Sequence, residues 1–321
     1  MKSAFVTGAA GFLGSHLCDA LIEKGFFVVG IDNFSTGYLK NIDHLLGQKD
    51  KFIFFNSDVT VPWDSWLAQA PPECLQEVQY IFHFASAASP VHYKRLSLET
   101  LWANSVGLGN ALDFAKSKSA RLVFASTSEI YGDPEVHPQP ETYWGNVNSF
   151  GVRACYDEAK RFGEALIYSY NLRHRARHGV VRIFNTYGPR MSPEDGRVII
   201  NFLKRAKDSQ SLVVSGDGRQ TRTFCYVSDL IAGVIAYASS GVCEPLNLGG
   251  TEEISILEAA QRVQNFFGGS VSIEFSALSE EDPQRRKPDL TKSLEVLAPW
   301  RPAISFGEGL QKMADWLQLC D

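Results

Sequence analysis

The sequence contains no run of about 18 consecutive apolar residues, the length a bilayer-crossing helix needs, although 45% of its 321 residues are hydrophobic. It also lacks a basic surplus, since 31 Lys and Arg stand against 36 Asp and Glu for a formal net charge of -5. That balance excludes a general nucleic-acid binder, because no excess of cations exists to displace the counterions of a phosphate backbone. Local basic groups remain able to hold a small anion. The six cysteines (18, 74, 155, 225, 243 and 320) show no paired spacing, and most sit among apolar residues. They read as reduced thiols of a cytoplasmic protein, and as neither a disulfide frame nor a zinc site. The opening Met1-Lys2-Ser3-Ala4-Phe5-Val6-Thr7-Gly8 runs straight into a strand and a glycine turn, so no signal peptide is expected in it. Internal repeats, low-complexity tracts and flexible linkers are also missing. What remains is the composition of an ordinary soluble globular protein, expected to need no metal and no membrane.

What is present begins with a unit of recognisable order. Residues 3–7 form a short apolar strand, followed at once by Gly8-Ala9-Ala10-Gly11-Phe12-Leu13-Gly14. The helix that starts there carries Leu13, Leu17, Ala20 and Leu21 on one stripe. A continuous apolar run at 26–31 reads as a buried parallel strand and ends on Asp32 and Asn33. Strand, glycine turn, helix, strand and acid together make a dinucleotide-binding unit. Gly8, Gly11 and Gly14 permit the turn, and the helix start at Phe12 and Leu13 offers oriented N–H donors to a pyrophosphate. Asp32 stands where a carboxylate bonds a ribose 2′-hydroxyl and would repel a 2′-phosphate, which favours NAD over NADP.

The alternation continues. A third strand at 52–55 leads to Asp58 and Val59, which can flank an adenine, and a fourth at 80–85 leads to the small-residue loop 86–90. His83 on that strand reads as a structural histidine. A long helix is expected over 97–116, then a fifth strand at 121–125 that delivers Ser126-Thr127-Ser128-Glu129-Ile130-Tyr131-Gly132 to its carboxyl end. In a parallel sheet chemistry is placed at that edge. After a polar loop at 132–148 comes Tyr156-Asp157-Glu158-Ala159-Lys160. Tyr and Lys four apart on a helix share a face, and the ammonium favours the ionised phenol, so the pair can act as a base near neutrality. A sixth strand at 178–184 ends on Asn185-Thr186-Tyr187-Gly188-Pro189-Arg190. Beyond it helices and short strands lose the simple order, with a return to the main sheet near 245–250, a charged segment at 281–289 and a closing helix over 307–319. The expected fold is α/β, a Rossmann-like doubly wound parallel sheet with a smaller C-terminal substrate-binding domain. Residues 1–185, joined by 224–249, form the NAD-binding part, and 186–321 form the cap over its cleft.

With these residues in view the chain resembles the extended short-chain dehydrogenase/reductases that act on nucleotide sugars. Gly8, Gly11 and Gly14, Tyr156 with Lys160, and Asn185-Thr186-Tyr187-Gly188-Pro189 carry that likeness. Within the group it looks most like the UDP-glucuronate decarboxylases, over nearly the whole chain. The narrower likeness rests on residues 126–139, Arg153-Ala154-Cys155-Tyr156-Asp157-Glu158, Gly196-Arg197-Val198, Gln220-Thr221-Arg222 and residues 282–289. Two stretches depart from the family pattern, Ala85-Ser86-Ala87-Ala88-Ser89-Pro90 and Ser149-Phe150-Gly151-Val152-Arg153, and both are expected to border the sugar.

The resemblance implies a resident NAD, contacted by Tyr156 and Lys160 as well as by the glycine turn, and a reaction without net redox change. Tyr156, assisted by Lys160, removes the proton of the sugar 4-hydroxyl as C4 is oxidised, and Thr127 bonds the same oxygen. The 4-ketone lies β to the C5 carboxylate, which can then leave as carbon dioxide before the ketone is reduced again. Related 4,6-dehydratases place an Asp–Glu pair after that Thr, the Asp protonating the departing hydroxyl. Here Ser128 takes its place, and a serine hydroxyl is a poor acid. Glu129 is implied to set the sugar or its carboxylate, with its protonation state left open by the sequence. Arg286 is implied to bind the carboxylate or to deliver the C5 proton through water. Asn185, Arg190 and Arg222 are expected on the substrate pyrophosphate, with Val198 near the nucleotide and the surroundings of Val214 and Tyr226 sandwiching the uracil. A nucleotide-sugar 4-epimerase or a 4,6-dehydratase is the alternative. A NAD-sensing protein without catalysis would be expected to carry a damaged set, and a dehydrogenase making the acid would need a nucleophilic cysteine that Cys155 does not provide. A homodimer through the helices near 97–116 and 154–175 is expected, from Leu98, Leu101, Leu108, Leu112, Phe162 and Leu166.

Overall fold

Strands buried on both faces read as unbroken apolar stretches, and such strands assemble into parallel sheets covered by helices. The computed structural model of the protein, which describes residues 1–277 and 283–318, has a seven-stranded sheet at its centre. Six of its strands follow one another in the chain: β1 (Lys2–Thr7), β2 (Phe27–Asp32), β3 (Phe52–Asn56), β4 (Glu77–His83), β5 (Arg121–Thr127) and β6 (Gly179–Ile183). The seventh, Leu246–Leu248, returns late in the chain and pairs parallel with β6. In space the order is Leu246–Leu248, β6, β5, β4, β1, β2, β3, with every pairing parallel. The build reverses direction between β1 and β4. At that switch a crevice opens beyond the carboxyl ends of the strands.

Side chains alternate across each strand, so neighbours serve opposite cores. On one face Val6 and Phe82 join Leu203, Val234, Val263 and Leu310 in a core that runs on into the later helices. On the other, Phe5 and Ile81 pack with Leu108, Leu112 and Phe124. The later chain adds short sheets. Thr221–Thr223 pairs antiparallel with Glu253–Ser255 and parallel with Arg285–Arg286, and Leu212–Ser215 pairs with Ile273–Ser276.

Several elements differ from the sequence reading. Part of the expected charged segment is the strand Arg285–Arg286, whose register sets Arg286 opposite Arg222. Glu281, Asp282, Leu319 and Cys320 lie outside the described residues. The long helix after β4 is interrupted by a π turn at Ala103–Gly107, between Ser97–Trp102 and Leu108–Lys118. There the Asn104 side chain donates to Thr100 O at 2.8 Å, and the Ala103 carbonyl meets His83 Nε2 at 3.0 Å. Leu108 and Leu112, expected on a partner-facing surface, are fully buried against the sheet. Large apolar side chains exposed on these helices are Leu98, Trp102, Val106, Phe162, Tyr168 and Leu172. Val214 packs into the core, while Val213, Ser215 and Phe224 face the cleft.

Candidate active site

Strand β1 must turn sharply to start the helix Phe12–Glu23 above the sheet. Gly8 makes the turn with a φ of 72°. A Cβ on Gly14 would lie 1.9 Å from the Gly8 carbonyl oxygen, so only glycine lets the helix sit this close to the strand. The helix starts at Gly11 without a side-chain cap and without an acid in its first turn, so its leading N–H groups are left for an anion. Asp32, at the end of β2, is 8% exposed and accepts hydrogen bonds from the backbone N–H of Ala10 at 3.0 Å and Phe34 at 2.7 Å. Burial raises its pKa, and those N–H donors oppose the rise. Asn33 donates to Asp58 at 2.7 Å and closes the far end of this cradle. The glycine turn, the uncapped helix start and the carboxylate beside it fit an NAD pyrophosphate and adenosine ribose.

These residues open onto a cleft of about 740 Å³. Each of the expected site residues lines it: Gly8, Gly11, Phe12, Leu13, Gly14, Asp32, Asn33, Asp58, Val59, Thr127, Ser128, Glu129, Tyr156, Lys160, Asn185, Arg190, Val198, Arg222 and Arg286. The structure nevertheless sorts them. Arg190 forms an ion pair with Asp19 on the first helix (2.7 Å), next to a contact of His16 Nε2 with Pro189 O at 2.9 Å. It therefore sits on the glycine-turn side, whereas Arg222 lies on Thr221–Thr223 beside Arg286.

The catalytic edge is built where β5 ends. Thr127 caps the following turn by accepting the N–H of Glu129 at 3.2 Å, which holds Ser128 buried and aims Glu129 across the cleft. A buried network braces this turn from behind. Tyr131 donates to Asn247 Oδ1 at 2.8 Å and accepts from Arg182 at 2.9 Å; Arg182 in turn pairs with Glu164, which Ser126 also reaches at 2.6 Å. The helix Ala154–His174 lays Tyr156 and Lys160 against the same edge. Lys160 donates to Ala125 O at 2.7 Å and lies 5.7 Å from the centre of the Tyr156 ring. Tyr156 stacks on Tyr93 with ring centres 5.0 Å apart and planes 8° from parallel.

The electrostatics of the pair differ from the sequence expectation. Burial pushes the Tyr156 phenol up to about 12, with a hydrogen bond from Thr127 pulling the other way. Burial also lowers Lys160 to about 7. A lysine that loses much of its own charge to desolvation cannot alone draw the phenol down.

Glu129 has the opposite fate. Burial works to raise its pKa, but Arg286 and Arg153, each bonded to one of its oxygens, override that and hold it at about 2. The two guanidinium groups thus favour the ionised carboxylate. Arg153 ends a stretch expected to border the sugar, but its pairing with Glu129 is not legible in the sequence, although it lies one helical turn ahead of Asp157 and Tyr156. Tyr93, Tyr38 and Asn104 line or brace the site and carried no signal of their own. Asn104 donates to Ser86 Oγ at 2.9 Å, which ties the π turn to the small-residue loop.

The chain matches the profile of the NAD dependent epimerase/dehydratase family over residues 4–249. It belongs to that family. Among relatives, the UDP-glucuronic acid decarboxylase 1 of Xenopus tropicalis is 45% identical over 311 residues, 97% of this chain and 71% of the relative. The UDP-glucuronic acid decarboxylase 3 of Arabidopsis thaliana is 42% identical over 98% of this chain and 88% of its own length. Among solved structures, a UDP-glucuronic acid 4-epimerase from Bacillus cereus, in complex with UDP-glucuronic acid and NAD, shares 27% identity at a TM-score of 0.87, covering 99% of both chains. A UDP-glucose 4-epimerase from Thermotoga maritima shares 25% at a TM-score of 0.88, again over 99% of both. As a member of this epimerase/dehydratase family the chain has the sheet order, glycine turn and Tyr–Lys helix in a single cleft.

Proposed function

We propose that the protein is a UDP-glucuronate decarboxylase that uses bound NAD to make UDP-xylose without net redox change. The observation that carries this reading is the composition of the β5 edge: Thr127 and Tyr156 adjoin a neutral Ser128 and an ionised Glu129 flanked by two arginines. The decarboxylase relatives point the same way. Gly8, Gly11, Gly14, Phe12, Leu13, Asp32, Asn33, Asp58 and Val59 would hold NAD. When bound, NAD supplies a reversible hydride acceptor for the sugar C4 and, oxidised, a positive ring charge.

Tyr156 takes the proton of the 4-hydroxyl, and Thr127 fixes the same oxygen. Lys160, anchored on Ala125, holds Tyr156 in place from the β5 side. Once C4 is a ketone, the C5 carboxylate needs only orientation and stabilised oxyanion charge to leave as carbon dioxide; the electron pair of the broken bond forms an enolate, which takes a proton at C5 before C4 is reduced again. Arg286, bonded to Glu129 and to Gly132 O, brings a fixed positive charge to the place proposed for the carboxylate. Ser128 offers no acid for expulsion of a hydroxyl and no negative charge against the substrate. Asn185, Val198 and Arg222 take the nucleotide.

Residues 1–185 with 224–249 form the NAD-binding part in this reading, and the rest of 186–321 forms the sugar-nucleotide part. A homodimer would cover Leu98, Trp102, Val106, Phe162, Tyr168 and Leu172, and a solution mass of one chain, 35.6 kDa, would remove that idea. A cytoplasmic setting suits the free cysteines 18, 74, 155, 225 and 243. Among the described residues no helix is long and apolar enough to cross a membrane.

The test is incubation with UDP-glucuronate and NAD, followed by mass analysis of the nucleotide product. Loss of carbon dioxide is expected. A product of unchanged mass with an inverted C4 would make the protein a 4-epimerase, as the Bacillus cereus and Thermotoga maritima neighbours are named.

A further inference from the structure

Glu129 is held by two guanidinium groups where one would balance it. Arg286 bonds one of its oxygens and Arg153 the other, and all three side chains line the cleft. The trio therefore carries one positive charge more than it needs. The two arginines are backed differently. Arg286 is 2% exposed and also donates to Gly132 O at 3.1 Å. Arg153 has the carboxylate of Asp157 3.8 Å behind its Nε. Asp157 is 5% exposed, and its Oδ1 meets no hydrogen-bond partner among the described residues. A neutral Asp157 leaves the surplus charge to the cleft. An ionised one cancels it.

We propose that Arg153 determines the preference of this site for a sugar that bears a carboxylate, by supplying the positive charge left over once Glu129 is paired, and that Asp157 sets how much of it reaches the cleft. The inference rests on the UDP-glucuronate reading and deepens it. Several groups face Asp157: Glu129 from the turn after β5, Arg286 from its strand, Tyr93 from the helix Pro90–Arg95, and Arg153, Cys155, Tyr156 and Glu158 from its own helix or the turn before it. Burial first, and then the charge of Glu129, push Asp157 up to about 7 against the two arginines. Below that pH the four groups sum to one positive charge, and above it to none. An incoming carboxylate favours the charged set, so its binding weakens as pH rises through about 7.

The experiment titrates NAD-loaded enzyme with UDP-glucuronate and with UDP by calorimetry, between about pH 6 and about pH 8. Arg153→Met should weaken UDP-glucuronate about tenfold or more, the effect of about 1.4 kcal/mol, and leave UDP within about twofold. Arg153→Lys should restore most of the loss. Wild type should bind UDP-glucuronate several-fold less tightly at the upper pH, and Asp157→Asn should flatten that slope. Equal losses for UDP and UDP-glucuronate in Arg153→Met would mean a structural role and overturn the proposal. So would unchanged binding of both, or a wild-type slope kept in Asp157→Asn. If wild type shows these charge effects yet forms no UDP-xylose, the assigned reaction fails and the role of Arg153 stands. If it forms UDP-xylose while Arg153→Met binds like wild type, the reverse holds.

Discussion

The cofactor end and the sugar end of the cleft are built in opposite ways. At the cofactor end Gly8, Gly14 and Asp32 come from one uninterrupted stretch of chain, and the Asp32 carboxylate is satisfied by backbone N–H groups. At the sugar end Glu129 meets Arg153 and Arg286, 24 and 157 residues away, and side chains satisfy its charge. A cradle of backbone keeps its shape whatever side chains surround it, provided the glycines stay. A cluster of side-chain charges has no such reserve, because each member sets the proton affinity of the others. The cofactor end should therefore govern whether NAD is held, and the sugar end which sugar reacts and how fast.

The largest effect expected from breaking this division comes at its boundary. Tyr156→Phe removes the phenol that Thr127 hydrogen-bonds, the base of the proposed reaction, and leaves the ring stacked on Tyr93. UDP-xylose formation should fall by about 10²–10⁴-fold, the usual worth of general-base catalysis. The NAD bound per chain should change little, since the glycine turn and Asp32 are untouched and the ring at 156 stays in place. A variant that lost both together would show the two ends to be one unit. Rates from product chromatography, set beside cofactor content after denaturation, separate the cases.

What the sequence disclosed follows the same division. The glycine turn and Asp32 were legible because their spacing along the chain is their geometry, and Tyr156–Lys160 because four residues make one helical turn. Arg285–Arg286 reads as part of a charged segment and not as a strand, because two residues have no periodicity. It is a strand only because Thr221–Thr223 is there to pair with it. Arg153 is expected near the sugar as the end of residues 149–153, but its partner is not legible, because nothing local tells a helix-starting arginine from one that crosses a cleft to Glu129. The π turn at Ala103–Gly107 also had no sequence mark, since the contacts of Asn104 and the Ala103 carbonyl that accompany it reach other elements. Burial changes the electrostatics even where the helix forms as expected. The Tyr–Lys spacing is as expected, yet desolvation leaves the phenol high and the lysine near 7.

A smaller effect is expected at the cofactor end. Asp32→Ala removes a charged acceptor from the ribose site. Charge-assisted hydrogen bonds contribute about 1.5–3 kcal/mol each, so NAD affinity should fall roughly 10–100-fold. The preference over NADP should shrink as the repulsion of a 2′-phosphate goes. Fluorescence titration with both cofactors measures this, and an unchanged preference would take cofactor choice away from Asp32. The relative affinity for UDP-glucuronate and UDP should stay as in wild type.

The smallest expected effect probes how the two ends are joined. The loop after β2 hangs on the glycine turn, where Tyr38 N–H and the Asn41 side chain donate to Ala10 O at 3.0 and 2.9 Å. From there the Tyr38 hydroxyl reaches Ser192 Oγ at 3.0 Å, and the segment it holds is also tied to the first helix through Pro189 and Arg190. These bonds close a strap across the cofactor side of the cleft. Tyr38→Phe keeps the ring and deletes one neutral hydrogen bond, about 0.5–1.5 kcal/mol. NAD should then leave up to about tenfold faster, read as cofactor remaining after timed gel filtration, with activity restored by added NAD. Retention equal to wild type would show that the other ties hold the strap closed and that Tyr38 adds nothing to it. A change in the ratio of UDP-glucuronate to UDP affinity would be more telling, because the strap would then carry force from the cofactor cradle to the charge cluster and the two ends would not be separable.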